Sequence, residues 1–233
     1  MRTFTALLLK EEKAIFTSPI AYVVLSVFLV IMGYTFTLTL FVSHVPTLVH
    51  LFFQIYVLFL LTVPIITMRL VAEERRLRTI EMLLTAPVSE PAVVFAKYLA
   101  SLSLVVLMLV LSGAYALTLG ILGQPDWGPI WSGYFGLFLL GAALVAVGLM
   151  TSSLVGNQII AALLSLSLFL LLWIIDHFGW MLPDPFDALV VNLSLLVHFT
   201  PFATGSIFLS DAGFFISLVL LGLFLSVRAL ARR

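Results

Sequence analysis

The sequence predicts an all-α polytopic membrane protein with six transmembrane helices, and three observations predict it. The chain is 63% hydrophobic and 9% charged, where soluble domains run at about 45–50% apolar and about 25% charged. Six apolar stretches come close to or exceed the roughly 20 residues that cross a bilayer as helix; they lie near 20–42, 51–68, 93–121, 130–151, 158–175 and 212–227. The 11 Lys and Arg residues all fall on one side of that arrangement. Arg2, Lys10 and Lys13 precede the first stretch, Arg69, Arg75, Arg76, Arg78 and Lys97 lie between or at the ends of the second and third, and Arg228, Arg232 and Arg233 follow the sixth. The other side carries Asp126, Asp176, Asp184, Asp187 and Asp211 with no Lys or Arg. The positive-inside rule then puts both termini in the cytoplasm, and five or seven spans would break the separation. No large soluble domain fits beside the spans. A net charge of +0 gives no basic signature for nucleic acid, and the lack of cysteine excludes disulfides, thiolate catalysis and Cys-based metal sites.

The N-terminal run Ala6-Leu7-Leu8-Leu9 is broken by Lys10, Glu11, Glu12 and Lys13 and does not read as a secretory signal. With Phe4, Leu7, Leu8 and Ile15 among those charges, residues 1–19 read as a helix lying on the membrane interface. Ser18 and Pro19 then supply a cap and a first-turn proline for the first span. The second span carries Gln54, Tyr56, Thr62 and Thr67, with Pro64 able to kink it. Residues 72–86 are good helix formers with Leu77, Ile80 and Leu84 on one face; Pro87 ends the run, and Ser89 and Pro91 start the next helix. A loop serving only topology has no need of that apolar face, which suits a groove on a partner. Both readings stand on composition. Ser132/Gly136 and Ala142/Ala146 give the fourth span small-residue spacing for close packing. Residues 152–157 read as a short polar connector, and Gln158, Ser165 and Ser167 are the mild polar groups of the fifth span. The connector 176–211 is too apolar for a plain outer loop and is broken by Pro183, Pro185, Pro201 and Gly205, so it predicts two short helices dipping into the outer leaflet. Trp127, Trp131, Trp173 and Trp180 fall near span ends, where aromatic belts form.

The run from Glu73-Glu74-Arg75-Arg76-Leu77-Arg78-Thr79-Ile80-Glu81-Met82-Leu83-Leu84 to Thr85-Ala86-Pro87-Val88-Ser89, followed by Val94-Phe95-Ala96-Lys97-Tyr98-Leu99-Ala100, resembles the ABC-2 family of transporter permeases. The late run from Asn192 through His198-Phe199-Thr200-Pro201-Phe202 to Gly205, then Leu209-Ser210-Asp211, resembles the gliding-motility-associated subgroup. The resemblance implies the membrane subunit of an ATP-driven transporter, usually an exporter of a bacterial inner membrane, working as a dimer with a second copy or a paralogue. It makes 72–86 a coupling helix docked on a separate ATPase, through Glu73, Glu74, Arg75, Leu77, Arg78, Ile80, Glu81 and Leu84. This sequence has no G-x-x-x-x-G-K-[ST] loop, so ATP and Mg would sit on that ATPase and this chain would bind no cofactor. In the family the second and fifth spans line the pathway, which makes Gln54, Tyr56, Gln158 and Ser165 lining candidates; interhelical hydrogen bonding is the alternative role. The segment 176–211 would be the re-entrant hairpin of the outer gate, with His198, Phe199 and Phe202 as gate candidates. Whether an accessory extracytoplasmic protein joins stays open.

Catalysis finds little support. Glu73-Glu74-x-x-x-Arg78 matches an element of intramembrane CAAX-type proteases, but no histidine follows in the spacing those enzymes use. His44, His50, His177 and His198 form no metal pattern, and no G-x-S-x-G is present. No acidic or basic residue falls deep in a predicted span, which speaks against a proton- or sodium-coupled carrier and toward an apolar or amphipathic cargo. A membrane scaffold that recruits a cytoplasmic partner and moves nothing is the alternative function.

Overall fold

In lipid every backbone N–H and C=O needs an internal partner, so an apolar chain of this kind folds as helices. The computed structural model describes residues 2–43, 47–77, 89–179 and 186–231. Among them α1 covers Arg2–Phe16, α2 Pro19–Ser43, α3 Val49–Thr67, α4 Ala72–Arg76, α5 Glu90–Leu122 and α6 Trp127–Leu154. Then follow α7 Gln158–Ile174, α8 Asp176–Gly179, α9 Phe186–Val191, α10 Leu195–Thr204 and α11 Leu209–Ala231.

Among the described residues five helices, α2, α3, α5, α6 and α11, are long and apolar enough to cross a membrane. The fifth predicted span is α7, a helix of 17 residues and about 26 Å long, somewhat short of a hydrocarbon core of about 30 Å. Its path carries on past the last helical residue: Ile175 keeps a right-handed helical conformation, its N–H bonds Leu171 O at 3.0 Å, and α8 begins at the next residue. Among the described residues the connector 176–211 does hold short helices, but three of them, α8, α9 and α10.

Element starts follow local chemistry. Ile20 N–H donates to Ser18 Oγ at 3.3 Å ahead of Pro19. The Asp126 carboxylate accepts from Gly128 N at 2.9 Å to open α6, and Asn157 Oδ1 accepts from Ile159 N at 2.9 Å to open α7. Ser89 occupies the N-cap position of α5 but makes no side-chain cap bond. Pro64 sits inside α3 without ending it. At the far end of α10, Gly205 adopts φ +101°, a left-handed turn in which a Cβ would be strained.

The centre of the bundle is α6, which packs against α3, α5, α7, α10 and α11 and is mostly buried, while α2 and α11 are mostly exposed. The fourth span thus ends three residues later than predicted, and Ser152 and Ser153 are buried helix residues rather than connector. Small residues let neighbours reach the α6 backbone. A Cβ on Gly222 of α11 would lie 2.8 Å from the Ala146 carbonyl carbon and oxygen, so these two helices cross in backbone contact. Trp127 and Trp131, at the start of α6, are exposed.

Candidate functional site

At the basic end of the bundle α4 is tied to three helices. Ser152 Oγ, on α6, donates to Met68 O at 3.1 Å and accepts from the N–H groups of Val71 and Ala72 at 3.2 and 3.1 Å. It thereby satisfies donors at the start of α4 that no residue of α4 could. Glu74 Oε1 lies 2.7 Å from Lys97 Nζ on α5, and the same ammonium meets Glu11 Oε2 of α1 at 3.0 Å. Arg75 Nη2 donates to the Ala229 carbonyl at 2.9 Å, where the last turn of α11 presents its negative dipole end.

The segment is therefore two-sided. Glu74 and Arg75 turn inward, whereas Arg76 and Leu77 are exposed, Leu77 at 57%. Glu73 is half-buried. Arg78, Ile80, Glu81 and Leu84 lie outside the described residues, so the apolar face is represented by Leu77 alone. Lys97, placed by the sequence at the end of the third span, does sit in the eighth position of α5, and it is only 2% exposed. Burying an ammonium is tolerable only with partners, and two carboxylates supply them.

The opposite end carries a second polar cluster. Ser194 Oγ caps α10, accepting from Leu196 N and Val197 N at 3.2 and 3.4 Å and donating to Asp176 Oδ1 at 3.2 Å. His198, buried on α10, contacts Asp211 Oδ1 through Nδ1 at 2.8 Å and Asn192 O through Nε2 at 3.0 Å, and its ring stacks on Phe214 at 4.0 Å. Phe199 and Phe202 are fully buried. Phe199 packs on Tyr56 and Phe53 of α3, and Phe202 meets Phe135 and Phe215, while Ser132 Oγ donates to Phe202 O at 2.7 Å. These contacts join α10 to α3, α6 and α11. His50 and His177 are exposed, and His44 lies outside the described residues. Among the described residues no three His, Asp or Glu side chains gather as a metal site.

The four lining candidates separate into two pairs. Tyr56 is fully buried between Trp173 and Phe199, and its hydroxyl has no hydrogen-bond partner among the described residues. Ser165 is buried and bonds Thr151 of α6 and its own helix at Ala161 O, 2.9 Å. Gln54 and Gln158 are half-buried. Sequence reasoning missed Ser152, Glu11 and Lys97 as members of one junction. The serine looked like loop, and nothing in sequence spacing brings residues 11, 74 and 97 together.

No curated protein matched the sequence. The family model described as ABC-2 family transporter protein matches residues 45–227, a stretch that takes in α3 through most of α11. The chain therefore belongs to the ABC-2 transporter family, as a non-catalytic transmembrane subunit with a permease-type role.

Proposed function

We propose that this chain is the permease half of an ATP-driven exporter in a bacterial cytoplasmic membrane, with residues 72–86 docking on a separate ATPase subunit and two permeases forming the pathway. The observation that carries the reading is the anchoring of α4 to α5, α6 and α11 while Leu77, just after it, stays exposed. A partner gripping the outer face would move a segment that the bundle cannot ignore, because each anchor ends on a different helix. Closure of two ATPase subunits on nucleotide would then bias the spans between two states. Six crossings with both termini inside belong to this reading. An even count keeps all 11 Lys and Arg on one side, and the continuation of α7 into α8 lengthens the shortest span. Gln54, Tyr56, Gln158 and Ser165 remain the proposed lining, and α10 with His198, Phe199 and Phe202 the proposed outer gate. The reading includes the gliding-motility-associated subgroup, on the resemblance of the late run from Asn192 to Gly205.

The test is recovery of the tagged chain from its native membrane in mild detergent, beside the Leu77→Asp/Ile80→Asp variant. A co-purifying protein with a nucleotide phosphate loop, lost in the variant, is expected. An ATPase that the variant retains would remove the docking assignment. If no ATPase co-purifies under any mild condition, the transporter loses its energy source and the scaffold function takes its place.

A further inference from the structure

Arg69 and Glu73 share a cavity at the basic end of the bundle without pairing with each other. The cavity lies among α1, α2, α3, α4 and α5 and holds about 420 Å³, within the span of small-molecule sites. One wall is apolar, built from Ile15, Ile20, Ile65 and Leu104, and Ile65 is exposed on the outer surface of the bundle. The other wall is charged. Lys97 is taken up by Glu11 and Glu74, which leaves Arg69 and Glu73. Arg69 gives one N–H to Ser18 Oγ, out of the five that a guanidinium carries. The Glu73 carboxylate has no hydrogen bond or ion pair among the described residues. Glu11 adds an acceptor. It is 6% exposed, and its Oε1 has no hydrogen bond, with Lys10 Nζ 3.5 Å away.

The cavity thus offers an anion-binding guanidinium, a carboxylate, an unfilled acceptor and an apolar wall reaching the bundle's outer surface. We propose that it binds one zwitterionic phospholipid of the ethanolamine type from the adjoining leaflet. The phosphate fits Arg69, whose fork suits phosphate oxygens. The ammonium fits Glu73 and Glu11 Oε1, and the acyl chains leave along Ile65. An anionic glycerol headgroup would set its charge against two carboxylates. A choline headgroup has no N–H for the open acceptor. A free zwitterion without chains would leave the apolar wall wet. This site does not rest on ATPase docking and would stand if that reading fell.

The full chain, reconstituted in nanodiscs with equal ethanolamine, glycerol and choline phospholipids, tests it by native mass spectrometry of the lipid retained after delipidation. The ethanolamine lipid is expected at about tenfold over the other two, the scale of one charge-assisted contact. Arg69→Ala and Glu73→Gln should each abolish that preference. Ile20→Trp, which fills the cavity and leaves every charge in place, should abolish retention itself, so the test survives a charge variant that fails to fold. Equal retention of the three lipids, or folded variants that keep the ethanolamine preference, would overturn the proposal.

Discussion

Ser152 shows how much one hydroxyl can hold. It caps two N–H groups and binds one carbonyl across the gap between α6 and α4, at full burial. Ser152→Ala should lower stability by about 1–3 kcal/mol, since the Val71 and Ala72 donors are left buried without acceptors. A drop in thermal midpoint in detergent is the expected result; an unchanged midpoint would mean that water replaces the hydroxyl. The His198–Asp211 pair makes a second case. Both ring nitrogens face acceptors, a carboxylate oxygen and the Asn192 carbonyl. Both contacts are hydrogen bonds only when the pair holds one proton beyond a neutral ring and a carboxylate, which leaves it without net charge. His198→Ala strands a buried carboxylate and should cost about 3–5 kcal/mol. The double variant His198→Ala/Asp211→Ala should be more stable than the single one. A double-mutant cycle of thermal midpoints reads this directly, and additive losses would show that the pair is not coupled.

Among the elements, α6 is the one against which α3, α5, α7, α10 and α11 all pack. Its neighbours reach its backbone through glycine and alanine, and α11 meets it backbone to backbone, at Gly222 against Ala146. Gly222→Ala has to push backbone from backbone and should destabilise by about 1–3 kcal/mol. Gly213→Ala on the same helix meets nothing within 4 Å and should be neutral or gain up to about 1 kcal/mol from helix propensity. Comparing the two midpoints separates a packing effect from any general intolerance of α11 to change. Equal effects would mean that the crossing is looser than the structure gives. The element proposed for partner contact is the shortest of the described helices but one, α4 with five residues. So brief a helix has no stability of its own, and its shape is borrowed from Ser152, Lys97 and Ala229.

For the whole molecule the open question is how many times the chain crosses. The lack of cysteine makes the answer accessible by single-cysteine labelling. Glu12→Cys and Arg76→Cys should react from one face of the membrane, and Gln124→Cys and Asp187→Cys from the other. Asp187 is the decisive position. If α7 does not cross, Asp187→Cys labels from the same face as Glu12→Cys, and the separation of Lys and Arg from the opposite side breaks at Arg228.

What the sequence determined by itself is whatever depends on local composition and period. Apolar run length predicted all six long helices, with α2, α3, α5 and α11 starting and ending within a few residues of expectation. Ser18-Pro19, Gly205 and the small residues of α6 were readable because caps, turns and close crossings are short-range chemistry. The motif at 73–89 was enough to indicate the family that the match over 45–227 shows. What only the tertiary structure decided is which polar groups meet. Glu11, Glu74 and Lys97 are scattered along the chain, yet they converge because α1 packs on α5 and α4 folds back against them. Sequence placed Lys97 at a span end and said nothing of its burial. Folding buried it because two carboxylates were carried to it by helices whose packing is dictated by apolar faces elsewhere. Ser152, His198 and Arg69 follow the same rule: their residue types were visible in the sequence, but their partners are supplied by contacts between helices, which no local pattern encodes.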